Sequence, residues 1–157
     1  MSLARLRARL PKAERIGVAT LSGHQLRFHK ISNKDGTGKG DAFYTGDLND
    51  QIFGVVYRIA LSDKTVLDRI EGVGIGYEVK TVSAIILDGK PVEAFAYYAT
   101  NIDPDLRPLD WYLQHVIRGA KENRLPDDYI TRISATPCQR DSDEGRRMHE
   151  LSIYFQE

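Results

Sequence analysis

The sequence predicts an α+β domain with a curved, barrel-like sheet and flanking helices. Three observations lead there. Strand-type alternation comes first, one helix interrupts it, a hairpin follows, and only then does helical periodicity take over. The regular βαβ alternation of a doubly wound fold is absent. The 157 residues, 41% hydrophobic and 28% charged, suit a single domain with a real core, here read as residues 1–137 followed by a polar tail, 138–157.

Each element has its own signal. In "MSLARLRARLP", Leu3, Leu6 and Leu10 make an apolar stripe, and the helix must stop before Pro11. A short surface helix is the simplest reading; a transit peptide is the alternative. "RIGVATLSGHQLRFHKI" reads as two strands broken at Ser22-Gly23, with Leu26 and Phe28 alternating against Arg27 and His29. Residues 32–41, "SNKDGTGKGD", read as a loop and "AFYTG" as a short strand. "QIFGVVYRIA", residues 51–60, reads as a buried central strand because it is rich in β-branched and aromatic residues. "SDKTVLDRIEG" is helical, with Ser62 as its N-cap, Asp63 in the first turn and Gly72 as its stop. "YEVKTVSAIIL" and "PVEAFAYYAT" flank Asp88-Gly89 and predict a hairpin. From Leu109, Trp111, Leu113, Val116, Ile117 and Ala120 share one helical face, and Asn123 ends it. Pro126 begins a further helix, "PDDYITRIS", in its first turn. The tail beyond Pro137 reads as loose, with "LSIYF" able to dock as a strand.

Composition excludes several classes. The 22 basic residues balance 22 acidic ones, so no global field attracts nucleic acid or anionic lipid. No run is apolar enough to span a membrane. A single cysteine, Cys138, forms no internal disulfide and fits a reducing cytoplasm.

Among residues that carry chemistry, "DGTGKGD" fails the spacing of a phosphate loop, and the four histidines show no paired metal spacing. Cys138 has no base nearby in sequence. Glu71 stands out. It ends a helix, where the macrodipole disfavours negative charge, and three glycines follow within "EGVGIGYE". Val66, Leu67 and Ile70 are expected to point inward, with Glu71 at the edge of that face. Burial and the helix's negative end would then raise its pKa towards the range of a useful general acid or base. The plainer reading is a solvated end residue, or one paired with Arg69 or Lys80.

"FGVVYRI" and "LDRIEGVGIGYE", followed by "YLQHVIRGAKENRLPDDY", resemble the gamma-glutamylcyclotransferase-like (AIG2-like) family, over about Gly17 to Pro137. The resemblance rests on "GVV", "LDxxEGV", a tyrosine soon after, and "GAKENxLP" with a tyrosine upstream. It implies a small mixed β-barrel with helices around it. It implies cyclisation of a γ-glutamyl amino acid or amine, releasing 5-oxoproline and the free amine, without metal or organic cofactor. Carried over, Glu71 is the general acid/base, and Tyr77 and Tyr112 line the substrate pocket. Lys121 and Glu122 organise a helix end. The implied partner is a small γ-glutamyl compound rather than nucleic acid or membrane, with glutathione less expected than a simpler substrate; the oligomeric state is left open. The family opens with a strand and a Tyr-Gly-Ser-Asn turn, which this chain lacks. The natural product is therefore expected to be longer, this chain weakly active or inactive, and one sheet edge unpaired. Two rivals remain. One is a non-catalytic binding module on the same scaffold; the other is a deacylase using the same chemistry.

Overall fold

The computed structural model describes residues 2–155; Met1, at the head of the expected first helix, lies outside them. α1 (Leu3–Arg7) leads into β1 (Glu14–Ser22) and β2 (His24–Ile31), which part at Gly23 as the sequence predicts. β3 (Gly38–Tyr44), β4 (Gln51–Arg58), α2 (Leu61–Glu71), β5 (Tyr77–Ile86) and β6 (Pro91–Ala99) follow. α3 (Asp110–Glu122), α4 (Asp127–Ser134) and α5 (Glu144–Ser152) complete the chain.

The larger sheet runs β4-β1-β5-β6, and β2 and β3 form a separate hairpin. All ladders between the described strands are antiparallel. β2 leans on β4 and β3 on β6, so the hairpin bridges the two edges of the larger sheet. The Ala99 amide donates to the Asp41 carboxylate at 2.9 Å and ties that bridge to β6. The result is a half-barrel with helices beside it, the α+β arrangement expected.

Between the edges of β4 and β6 lies an apolar cavity of about 600 Å³. Its wall takes consecutive residues of β4, Gly54 to Arg58, and of β6, Val92 to Tyr97, but only Val82 and Ala84 of β5. Successive residues of a strand point to opposite faces. Residues from both faces of β4 and β6 therefore border the cavity, as do Ala19 to Leu21 of β1, and the strand order places β4 at the end of the sheet. This corrects the reading of 51–60 as a central strand: β4 is a half-buried edge. Its apolar run lines a cavity, while the centre of the sheet belongs to β1, where Val18 and Ala19 are buried.

One core packs Leu113, Ile117, Ala120, Leu125, Tyr129 and Ile133 of the α3–α4 pair against Val18 and Phe28. A second joins Leu10, Ala13 and Leu67, with Leu6, Phe95 and Tyr97 against them. It joins Leu6 of α1 and the turn that follows it to Leu67 of α2.

Four local expectations need correction. The N-cap of α2 is Ala60 rather than Ser62, and it makes no side-chain cap bond. Pro126 precedes the first turn of α4 instead of standing in it. The final residues of the 32–41 loop belong to β3, because Asp35 neutralises Lys39 at 2.9 Å and makes its polar sequence compatible with a strand. Of the tail, Gln156 and Glu157 lie outside the described residues, and the part up to Phe155 is neither loose nor a strand. Asp141 is 1% exposed, accepts from Trp111 Nε1 at 2.7 Å and from Arg146 Nε at 2.6 Å. Arg147 Nε donates to Asp110 at 2.8 Å. These ionic ties hold α5 without needing an apolar stripe. No helix among the described residues is long and apolar enough to cross a membrane.

Candidate active site

Glu71 is the last residue of α2, and the backbone reverses directly after it. Gly72 (φ 78°) and Gly74 (φ 83°) occupy the left-handed region, where a side chain costs about 1–2 kcal/mol. The Gly72 and Val73 amides both donate to the Asp68 carbonyl at 3.0 Å and close the helix. Of the three apolar residues expected inward, Leu67 alone is buried; Val66 and Ile70 are 44% and 45% exposed. α2 rests on the molecule by a narrow strip, so Glu71 keeps a side chain 29% exposed. Its partner is Arg9, whose Nη1 stands 3.0 Å from Oε1; neither Arg69 nor Lys80 pairs with it. Lys80 instead contacts His24 Nε2 at 2.9 Å.

Tyr77 and Tyr112 meet at one residue, Gly40. Tyr77 Oη donates to the Gly40 carbonyl at 2.6 Å, and the Gly40 amide donates to Tyr112 Oη at 3.0 Å. The Tyr77 proton is thereby committed, whereas Tyr112 accepts and keeps its proton to donate. Burial, foremost, pushes both phenols up, and the nearby Glu71 charge adds to it. Both stay neutral donors through the physiological range.

A pocket of about 240 Å³ is lined by Glu71, Tyr112, Arg5, Arg9 and His115, among others. Tyr77 stands behind it, linked through Gly40. Arg5 Nη1 lies 3.5 Å from Glu150 in an ion pair that makes no hydrogen bond. His115 meets Tyr154 Oη through Nδ1 at 2.7 Å. Burial, reinforced by Arg5, pulls its pKa down to about 4, so it is a neutral wall of the pocket.

The "DGTGKGD" segment cradles its own lysine. Lys39 Nζ donates to Asp35 and to Thr37 at 2.8 Å and stands 4.9 Å from the Tyr112 ring centroid. Although burial opposes it, bonds from Thr37 and Lys39 hold Asp35 down at about 2. His24, His29 and His115 are buried and hydrogen-bonded, and Cys138 is exposed and free. Among the described residues no group of His, Cys, Asp or Glu is arranged to hold a metal ion.

Sequence reasoning missed Arg9 and Gly40. Arg9 reaches Glu71 across 62 positions, and Gly40 acts only through its backbone, so neither gives a local signal.

The half-barrel and flanking helices define an α+β domain with a small pocket that Glu71 and Tyr112 line. The AIG2-like family matches residues 51–133, a span that holds Glu71, Tyr77 and Tyr112. The gamma-glutamylcyclotransferase of Mus musculus is 31% identical over 134 residues, 83% of this chain and 71% of that protein. That of Homo sapiens gives the same identity and coverage, 31%, 83% and 71%. A solved structure of a gamma-glutamyl cyclotransferase superposes with a TM-score of 0.82 at 27% identity, over 97% of this chain and 91% of that one. The chain belongs to the AIG2-like family and is a relative of the gamma-glutamylcyclotransferases.

Proposed function

We propose that this protein cyclises a γ-glutamyl amino acid or amine, with Glu71 as general acid/base, and releases 5-oxoproline and the free amine. The observation that carries the reading is the pairing of Glu71 and Tyr112 on the wall of one small pocket. Oε2 of Glu71 has no hydrogen bond among the described residues, so it is open to a substrate ammonium. Glu71 takes a proton from the α-ammonium, and the freed amine attacks the γ-carbonyl carbon. A carbon–nitrogen bond forms within the ring and the ring nitrogen gives up a second proton; the bond to the leaving amine breaks, Glu71 returns its proton to that nitrogen, and the amine takes up the second and departs as ammonium. No water is consumed. Tyr112, with its proton free, donates to the substrate. Such a proton shuttle contributes about a hundred- to ten-thousandfold in rate, and holding the glutamyl chain folded on itself adds an entropic gain. Removal of a γ-glutamyl cap from a biosynthetic intermediate would use the same steps.

The test is 5-oxoproline release from γ-glutamyl amino acids and amines. Glu71→Gln is expected to lower turnover at least about a hundredfold; unchanged turnover removes Glu71 from the role. One observation favours a second reading, a binding module without turnover. Arg9 already occupies one Glu71 oxygen at 3.0 Å, and a base so engaged must first be released. That reading expects γ-glutamyl ligands to bind without product formation.

A further inference from the structure

Lys30 is the penultimate residue of β2, beside the turn that carries Glu71 to Tyr77. The residue is 9% exposed, yet its ammonium makes no hydrogen bond or ion pair among the described residues. Its contact is a ring face: Nζ stands 4.9 Å from the Tyr77 centroid. Gly76 makes the room for it, since a Cβ there would lie 2.8 Å from Lys30 Cε and 3.1 Å from Nζ. Burial lowers the amine's pKa, and the charges of Glu71 and Asp35 oppose that. Among the neighbouring cations, Arg9 is hydrogen-bonded to Glu71 and Lys39 to Asp35, while Arg5 is ion-paired with Glu150 at 3.5 Å without a hydrogen bond. The lysine stem is largely buried while Nζ itself is not enclosed, so an anion can reach it, and a cation with no bonded anion gains by pairing.

Resting on the γ-glutamyl reading of this pocket, we propose that Lys30 holds the α-carboxylate of the γ-glutamyl group while Glu71 takes its α-ammonium. The two charges of an amino-acid end sit on one carbon, so a receptor must offer an anion and a cation close together. Glu71 is the anion, and Lys30 is the cation within its field that has no other partner. Lys30 is thus a substrate-binding residue that sets specificity for the free acid.

The test compares γ-glutamyl ethylamide with its α-carboxamide analogue on the full chain, by titration calorimetry and then by turnover. Wild type is expected to bind the acid at least about tenfold more tightly than the carboxamide. Lys30→Met abolishes that preference by weakening the acid alone, and raises its KM with little change in kcat. Lys30→Arg restores part of it. Gly76→Ala, which crowds the lysine tip while keeping the charge, reduces the preference partially; it also serves if Lys30→Met fails to fold. Equal binding of both compounds by wild type, no binding of the acid, or equal weakening of both in Lys30→Met each overturns the proposal. So does a loss confined to kcat, which would place the lysine on the reacting carbonyl. Selective binding without 5-oxoproline release leaves Lys30 assigned and removes the cyclase reading. Turnover that depends on Glu71 but ignores Lys30 does the reverse.

Discussion

At the scale of single residues, the two tyrosines looked interchangeable in the sequence and differ in the structure. Each satisfies one backbone group of Gly40, so replacing either by phenylalanine orphans a polar backbone group and costs about 1–3 kcal/mol. Their effects on catalysis should separate. Tyr112→Phe also removes a hydroxyl from the pocket wall, and is expected to lower kcat/KM about tenfold or more. Tyr77→Phe removes a proton that never faced the pocket and should leave kcat/KM within about threefold, at a similar loss of thermal stability. Steady-state kinetics beside thermal melts distinguish the two. Equal losses of activity would mean that Tyr77 reaches substrate after all.

At the scale of elements, the end of α2 answers why a carboxylate stands beside glycines. Gly72 and Gly74 take backbone conformations that other residues resist, and the reversal they allow sets Glu71 at the pocket edge. Gly72→Ala is expected to cost about 1–2 kcal/mol and to lower turnover by displacing Glu71, with both read from urea melts and initial rates. A stable, fully active variant would show that the turn tolerates another path. That turn was legible in the sequence because glycine placement and the 3.6-residue period are local signals. The β5–β6 hairpin and the α3 face were legible for the same reason. What could not be read is what folding alone brings together. An apolar run looks the same whether it lies in mid-sheet or, like β4, beside a cavity. The polar α5 gave no apolar stripe, because ions hold it. Glu71 could be picked out, but Arg9 could not, since their contact depends on α1 and α2 sharing the Leu10–Leu67 core. The missed pairing matters chemically: the expectation of a dry, unpartnered carboxylate gives way to one held by a guanidinium.

At the scale of the whole molecule, α1, α3 and α5 converge on His115, and this makes the fold pH-dependent. The imidazole side chain is 5% exposed and bonded to Tyr154 of the C-terminal segment at 2.7 Å, with Glu150 3.4 Å from its other nitrogen and Arg5 adjacent. Burial first, then Arg5, lowers its pKa from 6.5 to about 4. Between those values the unfolded chain carries a proton that the native ring refuses. Stability therefore rises with pH across that window. The contribution is complete above about pH 6.5, and is lost progressively as pH falls towards 4. A shift of this size corresponds to about 3 kcal/mol. Asp35 and Asp141, held low by their hydrogen bonds, keep their contributions to lower pH and do not mask the effect. Denaturant melts between about pH 7 and pH 4.5 should show stability falling with acidity. His115→Gln, which cannot take up the proton, should flatten that slope and slow its loss. Protease cleavage of the C-terminal helix should follow the same curve in the wild type, because the ring that must charge is the one that holds Tyr154. A slope that survives the substitution would place the acid sensitivity elsewhere and leave α5 docked by its arginines alone.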